Sequence, residues 1–167
     1  MDPEARAVAA RHDLRPLPVE GGLYRRTWSG PPDPTGRPAG SAILVLLAGD
    51  DFSALHRLLI DEIWHFHEGD PLELLLLHPD GTDELRNLAP GGDVQVVVPA
   101  GTWMGARVAP GGRWSLCGTT MAPGFVPADY EGGDRAALTA AHPARAALIG
   151  ALTRADAPTR MESDPDA

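Results

Sequence analysis

The feature that most limits how this chain can fold is the regular return of turn residues between short apolar runs. Gly49-Asp50-Asp51, Pro79-Asp80-Gly81, Pro90-Gly91-Gly92 and Pro110-Gly111-Gly112 each supply residues that bend a backbone for distinct steric reasons. Between and around them lie runs of strand length: Leu23–Trp28, ILVLLAG from Ile43, Phe52–Leu59, Ile63–Glu68, Leu72–His78, Asp83–Leu88, Val94–Val98, Trp103–Val108 and Trp114–Met121. Many short strands with evenly spaced turns predict an all-β sandwich or barrel. Helices are expected only near the ends. One is predicted over Glu4–His12, stopped by Pro16 and Pro18, and another over Asp134–Arg154, interrupted at His142-Pro143. A chain of 167 residues is long enough for one domain with a real core, expected over 1–154. The polar, proline-containing stretch 155–167, ADAPTRMESDPDA, is expected to be disordered.

Strand alternation then selects candidate functional residues. Successive side chains on a strand point to opposite faces. Phe52, Ala54, His56 and Leu58 would share one face, and Glu62, Trp64 and Phe66 a face of the next strand, before a sharp turn at Glu68-Gly69-Asp70-Pro71. If both faces point inward, an imidazole, a carboxylate and an indole meet in an apolar cavity of the kind that holds small molecules. His56 and Glu62 would be a tunable proton-carrying pair, able to act as general base or acid. They could equally orient a ligand, or simply lock the core. Trp64, Phe66, Trp103 and Met104 would form the apolar wall. Arg25 could clamp a carboxylate or phosphate, or pair with Glu20, Glu62 or Glu73; Glu73 counts with it among the candidate ligand-binding residues. Tyr130 would cap the mouth or simply pack. Alternation turns His65 and His67 away from Glu62.

Composition removes several function classes. The formal net charge of −9 disfavours nucleic acid and anionic membranes. No apolar run approaches the roughly 20 residues of a membrane span, and MDPEARAVAARHD lacks the apolar segment of a secretory signal. A cytoplasmic protein is expected. The single cysteine, Cys117, has no partner within the chain and reads as a small buried apolar residue. No Gly-Lys-Ser or Gly-Lys-Thr follows any glycine-rich turn, and there is no nucleophile elbow.

Longer motifs carry a resemblance. Glu20-Gly21-Gly22 with Arg25 and Thr27, LHR…DEIWHF, GDPLELLLLHPDG, VPAGTW and APGF…ADYE, spread from Leu14 to Glu131, resemble a little-characterised subfamily of cupins. The first cupin motif places a histidine at His56, its glutamate at Glu62 and its glycine at Gly69. The second runs Pro99-Ala100-Gly101-Thr102-Trp103-Met104. The resemblance implies a double-stranded β-helix, or jelly-roll barrel, with short terminal helices. Metal-binding cupins use three histidines and a glutamate. Here Leu58 stands at the second histidine place and Met104 at the third, so neither a standard metal site nor any other cofactor is expected. By analogy with metal-free cupin-like epimerases, the resemblance implies an isomerase or epimerase acting on a sugar-like or carbonyl compound. The alternatives are a non-enzymatic small-ligand binder and, less favoured, a metal-dependent oxygenase or lyase. Small cupins often pair through strand edges, and ILVLLAG needs cover, so a homodimer is expected.

Overall fold

The computed structural model describes residues 1–155 and 157–166. Helix α1 spans Pro3–Arg11, capped by Asp2, whose carboxylate accepts from the Glu4 and Ala5 amides. Strands follow in order: β1 Arg15–Pro16, β2 Leu23–Ser29, β3 Ser41–Ala48, β4 Phe52–Arg57, β5 Glu62–Gly69, β6 Leu72–Leu77, β7 Asp83–Leu88, β8 Gln95–Val98, β9 Trp103–Val108, β10 Trp114–Met121 and β11 Glu131–Gly132. Two further helices close the order, α2 Arg135–Ala141 and α3 Ala146–Ala151, separated at His142-Pro143 as expected. The strands form two antiparallel sheets, β1-β2-β3-β10-β5-β8 and β11-β4-β9-β6-β7. The expected jelly roll is present. Its two sheets face each other without closing into one continuous hydrogen-bonded barrel.

Apolar residues from both sheets meet in the central layer, among them Val45, Leu47, Trp64, Leu74, Met104 and Cys117. Burial pushes the Cys117 thiol up to about 12, as suits a packing residue rather than a nucleophile. Two smaller clusters cover the outer faces. Ala5, Val8 and Ala9 of α1 pack on Leu46, Trp114 and Leu116. Leu138, Ile149 and Leu152 pack on Leu55, Leu75 and Leu77. Strand β6 therefore reads as LELLLL instead of alternating. Leu72, Leu74 and Leu76 face the central layer, while Leu75 and Leu77 lie under the C-terminal helices. Strand β3, the ILVLLAG run, sits between β2 and β10 and has the core on one face and α1 on the other. Leu46 is buried there, while Ile43 and Leu44 are partly buried.

Alternation fails at one place that matters. Strand β4 pairs with β9 as Phe52 with Arg107, Ser53 with Ala106, and His56 with Met104. Three steps on β4 answer two on β9, which is a β-bulge. Phe52 and His56, expected on one face, are on opposite faces. Phe52 packs toward the outer cluster with Leu55, while Ser53 and His56 point inward opposite core residues.

Glycine is required where the chain enters β2. Gly22 has φ +79°, and a Cβ there would lie 2.7 Å from a Leu47 methyl and 3.1 Å from the Leu46 carbonyl oxygen. Gly36 has a similar φ of +87° with open space around it. Both alanine variants carry left-handed strain of roughly 1–3 kcal/mol; Gly22→Ala adds a collision in the core. Urea unfolding is expected to show Gly22→Ala clearly less stable than Gly36→Ala.

Candidate functional site

A cavity opens between the sheets at the end where the N-terminal strands and the C-terminal segment meet. Its walls include Glu20, Tyr24, Arg26, His56, Glu62, Thr119 and Tyr130 among the polar groups, with Leu17, Ile43, Leu58, Met121 and Phe125 between them. The free space is only about 50 Å³.

His56 is 2% exposed. Its Nδ1 lies 2.7 Å from the Ala54 carbonyl oxygen. A carbonyl can only accept, so Nδ1 carries a proton and donates it. The same bond fixes the tautomer and leaves Nε2 as the exchangeable nitrogen. The Glu20 Oε2 lies 3.9 Å from Nε2, and the Tyr130 ring stacks on the imidazole at 5.1 Å between centroids. Burial pushes the Tyr130 phenol well above its ordinary range, and the Glu20 carboxylate pushes in the same direction.

Glu20 reaches the cavity through its loop. Val19, Gly21 and Gly22 all have positive φ, and the turn presents the Glu20 carbonyl to the Ala54 amide at 2.9 Å and to Arg154 at 2.7 Å. The side chain then accepts a 2.6 Å bond from the Ser53 hydroxyl. Ser53 is turned inward by the same bulge that turns in His56.

Glu62 stands opposite Met121 of β10 and is 7% exposed. The Trp64 indole N–H donates to its Oε2 at 2.9 Å. Loss of water around the carboxyl raises its pKa from 4.5 to about 7. His56 opposes that rise, Glu20 adds to it, and the bonds from Thr119 and Trp64 oppose it. A carboxyl of this kind changes protonation near neutrality.

Of the residues singled out from sequence, the structure brings His56, Glu62 and Tyr130 to the cavity wall. Trp64 and Met104 lie in the central core; Trp64 serves the site by holding Glu62, and Met104 stands opposite His56 in the ladder. Phe66 packs against that core. Three others point elsewhere. Arg25 pairs in register with Leu44 on the outer face, so the inward residue is its neighbour Arg26. Glu73 is on the outer face of β6 in an ion pair with Arg107 at 2.9 Å. Trp103 packs with the outer cluster under the Arg57 guanidinium, 4.6 Å from the ring centroid. Sequence reading missed Glu20, Arg26 and Tyr24. The last two were open to strict alternation along β2, once Val45 and Leu47 of its partner strand are assigned to the core. Outward placement also holds for His65, which bonds Thr120 at 2.9 Å, and His67 is exposed.

The donor set does not fit the metal of metal-binding cupins. Leu58 lines the cavity where a second imidazole would be needed, and Met104 holds the third place. Among the described residues, no three His, Cys, Asp or Glu side chains are grouped to hold an ion. No helix among them is long and apolar enough to cross a membrane.

Facing jelly-roll sheets around an inward histidine and glutamate define a cupin. Residues 6–132 match the family described as Cupin superfamily (DUF985), and the chain belongs to it. A crystal structure of a protein from Shewanella oneidensis is similar at 32% identity and a TM-score of 0.82, covering 91% of this chain and 98% of that one. A protein from Leishmania major is similar at 28% identity and a TM-score of 0.80, covering 90% and 99%. Oxalate decarboxylase of Bacillus subtilis shares the fold at 12% identity and a TM-score of 0.57, covering 91% of this chain and 40% of that one. A search of curated proteins found no match.

Two outcomes follow for the site. Protein purified without added ions is expected to hold well under one transition metal per chain by plasma mass spectrometry. The Glu62 pKa is raised on folding, so the native state binds an extra proton between about pH 4.5 and 7. Its contribution to stability is full below pH 4.5 and is lost as the pH rises through 7. Glu62→Gln cannot ionise and keeps the oxygen that accepts from Trp64. It should therefore be more stable than the parent at pH 8, by up to about 3 kcal/mol at ~1.4 kcal/mol per pKa unit, and the gain should vanish at pH 4.5. Melting temperatures at both pH values measure this.

Proposed function

We propose that the cavity binds a small carbonyl or sugar-like compound and acts on it as a metal-independent isomerase or epimerase. One observation supports this above the rest: two proton carriers of different chemistry, His56 and Glu62, line one desolvated cavity. The Ala54 carbonyl leaves His56 Nε2 as a lone-pair base whenever the ring is neutral. Desolvation holds Glu62 near pH 7, where it can give or take a proton. Removing a proton from the carbon beside a carbonyl and returning it from another group needs such a pair. In this reading His56 takes the proton and Glu62 supplies one, while Tyr130 and Glu20 hold the imidazole in place.

A second reading is a non-enzymatic binding protein. It draws support from the same bonds, because Trp64 on Glu62 and Tyr130 on His56 would also stabilise a purely structural pair. The two readings part in heavy water. With dihydroxyacetone and pyruvate as probes, NMR should detect protein-dependent exchange of the protons next to the carbonyl. His56→Ala and Glu62→Gln should each slow that exchange by roughly 10²-fold or more. Binding without exchange would favour the binder. Exchange unaffected by either substitution would overturn the proposal.

A further inference from the structure

The chain's own C-terminal segment lies against one side of the cavity. Met161 and Pro165 form part of the wall, and the acids beside Pro165 converge on the cavity's cationic rim. Asp164 receives two parallel bonds from Arg26, at 3.0 and 2.8 Å. Asp166 lies 3.0 Å from Arg26 Nε, accepts from the Tyr24 hydroxyl at 3.1 Å and pairs with Arg15. Arg15 also donates to the Pro165 carbonyl at 3.0 Å. This arrangement differs from an ordinary surface ion pair. The Arg26 side chain is only 18% exposed and faces the same cavity as His56 and Glu62. Its Nε is buried, yet the contact with Asp166 is not aligned as a hydrogen bond. The segment that supplies the carboxylates contains no helix or strand among its described residues.

Fork-shaped recognition of a carboxylate is the characteristic use of a guanidinium. The free space of about 50 Å³ falls far below the roughly 300–1,000 Å³ of small-molecule sites, and Met161 and Pro165 of the tail take up part of its wall. We infer that Arg26, with Arg15 and Tyr24, is the carboxylate subsite of this pocket, and that Asp164 and Asp166 occupy it in place of an anionic ligand. The ligand class is a small oxo acid or sugar acid. Its carboxylate takes the seat of the tail on Arg26, and its carbonyl end extends toward His56 and Glu62. This rests on the acid–base reading for the carbonyl end alone; the carboxylate end stands on the tail contacts.

A tethered competitor acts at an effective concentration in the millimolar range, and a ligand's apparent affinity falls with the fraction of sites left open. The test uses the full chain with Asp164→Asn and Asp166→Asn together, and calorimetric binding of 2-oxoglutarate. The double variant should bind at least tenfold more tightly than the parent. Adding Arg26→Gln should abolish that binding while the melting temperature reports that the fold persists; Arg26→Lys, which keeps the charge but loses the fork, should weaken it at least fivefold. The dimethyl ester of 2-oxoglutarate should bind no better to the double variant than to the parent. Equal affinity of parent and double variant for the dianion, or binding that survives Arg26→Gln, would overturn the inference, as would an ester that binds as well as the acid. Arg26-dependent binding without proton exchange in heavy water would uphold the subsite and remove only the acid–base reading.

Discussion

The site depends on one extra residue in β4. A strand has a period of two, so without the bulge between Ser53 and His56 the side chains on either side would keep a common phase. Phe52 would then enter the cavity if His56 did, or His56 would leave it if Phe52 packed outside. The insertion lets Phe52 seal the outer cluster and Ser53 hold Glu20, while His56 faces Glu62. Bulges re-aim side chains at a local cost in ladder bonds. Here the misaligned stretch is also where the Ala54 carbonyl becomes the acceptor for the imidazole, so a single irregularity sets both the direction of the ring and its tautomer.

Charge in the cavity is balanced in layers. Deep in the pocket the Glu20 carboxyl lies 3.9 Å from the imidazole, and burial shifts Glu62 toward neutrality. At the rim two guanidiniums face two aspartates. In the proposed reading, the acids inside and the guanidiniums at the mouth, once the aspartates leave them, suit an elongated ligand with a neutral polar end and a negative end. Partly exposed ion pairs of this sort, as at the rim, are weak contributors to stability.

Most of the architecture was legible from the turn residues, because Gly and Pro punctuation and strand-length apolar runs report backbone geometry directly. The pair His56 and Glu62 was legible from cupin spacing. What escaped the sequence did so for identifiable reasons. Arg25 and Arg26 are adjacent, and only the register of β2 against β3 says which one faces in. Glu73 and Trp103 sit on strands buried on both faces, where an apolar pattern cannot say which face is the core between the sheets. Glu20 lies on a loop whose left-handed turns carry no periodicity. The seat of Asp164 and Asp166 is a contact across nearly the whole chain, which a local reading of a polar, proline-containing tail treats as solvent.

The origin of the cavity walls has a consequence for how the protein comes into being. Arg154 bonds the Glu20 carbonyl across 134 positions, and Arg26 meets Asp164 across 138. Contacts this distant in sequence are late and slow to form. The pocket therefore exists only once segments far apart in sequence have met.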